Sequence, residues 1–191
     1  MKSKHLWNRV SLSLHVLIAL GVILQVSFIL FRKIIGHQGP WVIYRAPAIQ
    51  LHEYIGAAVF LIVLIYFFYK IFLSPKNTLL NFYPVSKNSW VKIIQDLGCL
   101  FLQKKIPVRT QGGLAGLIQG LGLLLVLGLA GLGTVSLISW QFPSNILLTE
   151  LGKTAMTLHK YFAFLIWWYL GGHVGMAFLH KIIPARFQKE F

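Results

Sequence analysis

The sequence predicts an all-α integral membrane protein, a four-helix bundle with an additional cytoplasmic amphipathic helix between spans 2 and 3. Three observations predict it. Of the 191 residues, 57% are hydrophobic and only 12% charged, outside the usual soluble balance. The apolar residues gather in charge-free runs of roughly twenty or more, the length that crosses about 30 Å of hydrocarbon. The cations collect beside those runs. A single membrane domain over 1–191 is expected, with spans near 10–31, 52–73, 112–138 and 157–180.

The first span rests on the run Val10–Phe31, preceded by Lys2, Lys4 and Arg9. It is longer than the roughly 7 to 15 residues of a signal-peptide core, and no small-x-small site follows, so a retained helix is expected. The second follows Glu53 and is charge-free to Tyr69, with His52 opening the helix. In the segment after it, Trp90, Ile93, Ile94, Leu97 and Phe101 recur at helical spacing, while Lys92 and Asp96 form an i, i+4 pair on another face. That pattern predicts an amphipathic helix at the membrane surface. Lys104, Lys105 and Arg109 then form a basic cluster suited to anionic headgroups.

The stretch Thr110–Thr149 carries no charge. Trp140-Gln141-Phe142-Pro143-Ser144-Asn145 holds helix-stopping and turn-forming residues, which narrows the third span to about Gly112–Ile138. This span is rich in glycine (Gly112, Gly113, Gly116, Gly120, Gly122, Gly128, Gly131, Gly133), and Gly116 with Gly120 makes a GxxxG pair. Close helix packing is the plainer reading; room for a flat macrocycle is the sharper one. The fourth span rests on the apolar run from Tyr161 to His180.

The net charge of +14 would suit nucleic acid in a soluble protein. Here the cations flank membrane spans and orient the chain, so no nucleic-acid partner is expected. The N-terminal tail has three Lys or Arg, the segment Lys70–Arg109 seven, and the tail from Lys181 three. Against these thirteen stand five: Arg32, Lys33, Arg45, Lys153 and Lys160. Both termini and the middle loop are therefore expected in the cytoplasm. One cysteine, Cys99, rules out an internal disulfide and a four-thiolate metal site.

Metal-binding groups inside a bilayer are costly, which makes each a functional candidate. Of seven histidines, His15, His52, His159 and His173 fall in or at the spans. With both termini inside, His15 and His173 share the inner depth and His52 and His159 the outer one. His159 and His173 are nearly four whole turns apart, about 21 Å along a helix, so both rings leave one side. That arrangement suits two stacked b haems, each iron held by two neutral imidazoles in a six-coordinate site that favours electron transfer over oxygen binding. The acids Glu53, Asp96, Glu150 and Glu190 lie outside or at the edges of the spans, which disfavours a carboxylate-based pump. His5, His37 and His180 read as peripheral.

No C-x-x-C-H motif is present, so the haems are expected to be non-covalent. Their carboxylates call for cationic partners, with Arg9 at the inner mouth and Lys153, Lys160 and Arg45 at the outer one. No nucleophile, base or oxyanion constellation supports a hydrolase. A dihaem electron conduit is the leading reading. A self-contained superoxide:quinone oxidoreductase is the alternative, and a non-redox membrane anchor or transporter is the third.

Arg-Val-Ser-Leu-Ser-Leu-His from Arg9 to His15, Leu-His-Glu-Tyr-Ile-Gly from Leu51 to Gly56, and His159 with His173 and His180 resemble the bacterial cytochrome b561 and nickel-iron hydrogenase cytochrome b family over essentially the whole chain. The resemblance implies a bacterial inner-membrane bundle with two b haems on the first, second and fourth helices, exchanging electrons with membrane quinone. It also implies a redox partner, either another subunit or a small carrier at the membrane surface. The chain departs from the stand-alone members in its long basic middle loop and in a third span without histidine, which weakens the superoxide reading.

Overall fold

The computed structural model describes residues 3–34, 45–73, 82–102 and 113–182, with the side chains of 9–34, 46–73, 82–102 and 113–178. His37, the cluster Lys104, Lys105 and Arg109, the tail beyond 182, and the side chains of His5, Arg45 and His180 lie outside the described residues. The described residues are almost wholly helical: α1 (Ser3–Ile34), α2 (Arg45–Phe68) running into a π-helical turn (Tyr69–Leu73), α3 (Lys87–Phe101), α4 (Gly113–Trp140) and α5 (Ile146–Ile182).

Local chemistry sets the ends. Arg32 and Lys33 occupy the last turn of α1, where cations meet the negative end of the helix dipole. α2 begins earlier than its apolar run, because Pro47 sits in its first turn, where no N–H is needed. His52 therefore lies about two turns inside α2 rather than at its opening. Ser86 caps α3, its hydroxyl accepting from the Ser89 N–H at 3.2 Å. The expected turn before α5 is present, and Asn145 Oδ1 accepts from the Leu148 N–H at 3.1 Å, starting α5 well before 157.

Three helices among the described residues are long and apolar enough to cross a membrane: Arg9–Ile34, Ala46–Leu73 and Gly113–Trp140. The expected fourth span, 157–180, lies on α5, whose 37 residues make it the longest helix. Indole, phenol, imidazole and glycine groups from Trp167 to Gly175 lower its hydropathy. Large apolar side chains such as Leu20, Ile23, Leu61 and Ile65 are exposed, the ordinary outer surface of a protein whose solvent is lipid.

The chain forms two compact units, Met1–Leu73 with Val126–Ala163, and Ser74–Leu125 with Phe164–Phe191. In the first, α1 and α2 pack antiparallel. Ser11 Oγ lies 3.4 Å from the Tyr66 hydroxyl, and Gln25 meets His52, so fourteen residues separate the two contacts on each helix. A Cβ at Gly21 would collide with Val59, so glycine allows the close approach between them. In the second unit, a Cβ at Gly120 would stand 2.7 Å from the Phe82 carbonyl oxygen and 3.1 Å from the Tyr83 ring. The notch at Gly120 thus receives the segment that leads into α3. Asp96, expected to pair with Lys92, instead accepts from the Leu114 N–H at 2.8 Å. The free N–H groups of a helix start attract a carboxylate more strongly than one exposed lysine does.

Candidate functional site

His52 and His159 come together in the first unit, their ring centroids 6.1 Å apart and their planes at 84°. Each ring is held by a backbone carbonyl of another helix. The Nδ1 of His52 lies 3.3 Å from the Gln25 carbonyl oxygen of α1, and the Nδ1 of His159 lies 2.8 Å from the Leu129 carbonyl oxygen of α4. A carbonyl oxygen only accepts, so each contact requires the proton on Nδ1, which in a neutral imidazole is the Nδ1–H tautomer. That tautomer leaves Nε2 as the nitrogen able to ligate a metal, and a hydrogen bond at the opposite nitrogen both orients the ring and raises its basicity.

Gln25 binds His52 twice. Its side-chain Nε2 donates to the His52 carbonyl oxygen at 2.8 Å, while its own carbonyl receives the ring proton. Gly56, one turn further along α2, lies beside the carboxamide: a Cβ there would make ordinary contact with Gln25 Oε1 at 3.6 Å. Gly133 of α4 lies against His159, and its Cβ position is 3.4 Å from the ring Cε1. Among the described residues no three His, Cys, Asp or Glu side chains gather, so the donor set at this level is the imidazole pair.

His15 lies on α1 one turn beyond Ser11 and ten residues before Gln25, about 15 Å along the helix from the His52 level. Beyond the Ser11–Tyr66 contact, about 10 Å past the level of His15, α2 ends in the π-helical turn, with the Lys70 ammonium 5.2 Å from the centre of the Tyr66 ring. Arg9 is exposed on α1. His173 belongs to the second unit, where the Tyr169 ring stacks on it at 5.3 Å and 20°. Tyr169 in turn occupies the notch at Gly122, whose Cβ would collide with the Tyr169 ring and hydroxyl. Of the four spanning histidines, the structure brings His52 and His159 together.

Gln25, the Leu129 carbonyl and the contact made by Gly133 escape a reading by residue type. Gln25 left one signal, a lone carboxamide in the charge-free run of α1. A backbone carbonyl leaves none, since every residue has one. The sequence model of the prokaryotic cytochrome b561 family matches residues 6–188. No curated protein and no solved structure matches the chain.

Proposed function

The chain belongs to the prokaryotic cytochrome b561 family, membrane proteins that bind b-type haem and transfer electrons, and from that premise we propose that it is a dihaem conduit between membrane quinone and a redox partner at the membrane surface. The observation that carries the reading is the His52–His159 pair. Two imidazoles held close together with Nε2 left for a metal are the residues that would hold one haem iron. The pair stands at 6.1 Å, with both Nδ1 protons already given to carbonyls.

In this reading His52 and His159 hold one haem, and His15 and His173 the other. Haem b, when bound, supplies a one-electron iron couple. The chain's own residues do the rest. Gln25 and the Leu129 carbonyl fix the imidazole tautomer and orientation. Gly133 keeps the space beside His159 free of side chain, and Arg9 offers a cation for a haem carboxylate. The apolar helix walls keep water away and so influence the potential. Two neutral ligands per iron leave no open position, which favours electron transfer over oxygen chemistry.

The fourth span of the bundle is α5 in this proposal. Its 37 residues reach about 55 Å, well over the hydrocarbon thickness. The cation asymmetry supports both termini and α3 on the cytoplasmic side of a bacterial inner membrane, with the His52 level toward the outer face.

A reduced-minus-oxidised spectrum and a pyridine haemochrome count on detergent-purified protein test the reading. Two b haems per chain are expected. His52→Ala and His159→Ala should each remove the same one, and His15→Ala and His173→Ala the other. A folded, colourless protein would overturn it.

A further inference from the structure

Helix α3 carries three distinct faces. Toward the protein it turns Ile93, which is 4% exposed, and Asp96, whose carboxylate holds the Leu114 N–H. A second face carries Trp90, Ile94, Leu97 and Phe101 at i, i+4, i+7 and i+11 spacing; all four are exposed, Ile94 at 64% though it directly follows Ile93. The third face carries Lys92, Gln95 and Cys99, half a turn round from the apolar one. A helix built for water would not turn a bare row of Trp, Ile, Leu and Phe outward.

The depth of α3 follows from its contacts. Asp96 binds the second residue of α4, and α4 enters its apolar span at Gly113. The middle of α3 therefore lies where that span meets the headgroups. The segment just before α3 lies deeper, since the Tyr83 hydroxyl donates to the Gly120 carbonyl oxygen at 3.3 Å, seven residues or about 10 Å further along α4. The exposed apolar row thus lies at the level where α4 begins its apolar span, and Lys87 and Lys92 are exposed on the same helix.

We propose that α3 lies in the headgroup layer and binds anionic phospholipid, with the Trp90–Ile94–Leu97–Phe101 row among the upper acyl chains, the lysines on the phosphates, and the Cys99 face toward water. Latched by Asp96 to the start of α4, it anchors this part of the chain to one leaflet. The inference does not depend on haem binding.

The chain's lone cysteine provides the test. Full-length protein is placed in nanodiscs of phosphatidylcholine alone, or of phosphatidylcholine with phosphatidylglycerol. A nitroxide is attached at native Cys99, or at Trp90→Cys or Ile94→Cys in a Cys99→Ser background. Collision rates with oxygen and with a water-soluble nickel chelate are then compared; helical circular dichroism and monodisperse elution certify folding. Labels at 90 and 94 are expected to favour oxygen severalfold, and the label at 99 to favour the chelate. Phosphatidylglycerol should deepen the label at 94, and Lys87→Gln with Lys92→Gln should abolish that deepening. Free access of the chelate to 90 and 94 in both discs overturns the proposal. Protection of those sites from both reagents, the sign of cover by protein, overturns it too. Equal depth in the two lipids removes the anionic headgroup from it.

Discussion

Gln25 and His52 hold each other from both ends: the carboxamide of one donates to the carbonyl of the other at 2.8 Å, and the imidazole of the second faces the carbonyl of the first at 3.3 Å. The consequence is that the position of α1 determines the ring orientation of a histidine on α2. Neither bond is available to water in the hydrocarbon, so their loss is not compensated by solvent.

Gln25→Leu keeps the backbone acceptor and removes the donor. It should destabilise the chain by about 0.6 to 1.7 kcal/mol, the span for interhelical bonds in membranes, and move the midpoint potential of one haem while the other stays. A redox titration that finds both midpoints unchanged would remove Gln25 from the site.

At Gly133 the available space is graded. An alanine Cβ would meet His159 at ordinary van der Waals distance, so Gly133→Ala should retain both haems. Gly133→Leu should push the ring off the Leu129 carbonyl and lose one haem. The Cβ position at Gly128 meets nothing within 4 Å, and Gly128→Leu should bind as the parent does. The haemochrome count separates these outcomes.

The Gly122 notch and the Tyr169 ring form a coupled pair. Gly122→Ala should destabilise by about 1 to 3 kcal/mol through overpacking, and the same change in a Tyr169→Ala background should cost much less. A double-mutant cycle of thermal stability in detergent measures the coupling; simple additivity would mean that the ring does not sit in the notch.

Ser136 and Ser139 are neighbouring buried hydroxyls with opposite expectations. Ser139 donates to the Ser136 carbonyl at 2.7 Å, and Ser139→Ala should cost about 0.6 kcal/mol. The Ser136 hydroxyl is fully buried with no partner among the described residues. Ser136→Ala should therefore be neutral or stabilising. Parallel thermal melts would show the sign of each.

Burial pushes the Tyr83 phenol above its ordinary value. The folded chain thus keeps that proton to higher pH than the unfolded chain, where tyrosine titrates near about 10. The stability it contributes is complete below about pH 10 and is lost as pH rises through the folded pKa. Tyr83→Phe should flatten the alkaline limb of the stability profile; an unchanged limb would show that Tyr83 does not titrate on unfolding.

Composition and local pattern alone determined the membrane class, the helices of the first three spans, the turn at 140–145 and the amphipathic α3. Helices in lipid close their hydrogen bonds within the segment, so length, hydropathy and turn residues suffice to find them. Matching depth in the sequence already paired His52 with His159; only the tertiary structure decided that the Gln25 and Leu129 carbonyls hold their Nδ1 protons, that the Gly120 notch takes Phe82 and Tyr83, and that Asp96 turns to Leu114 rather than Lys92. The reason is that helix rotation and lateral packing depend on where small residues let backbones approach. Those contacts join residues tens of positions apart, so local periodicity carries no trace of them.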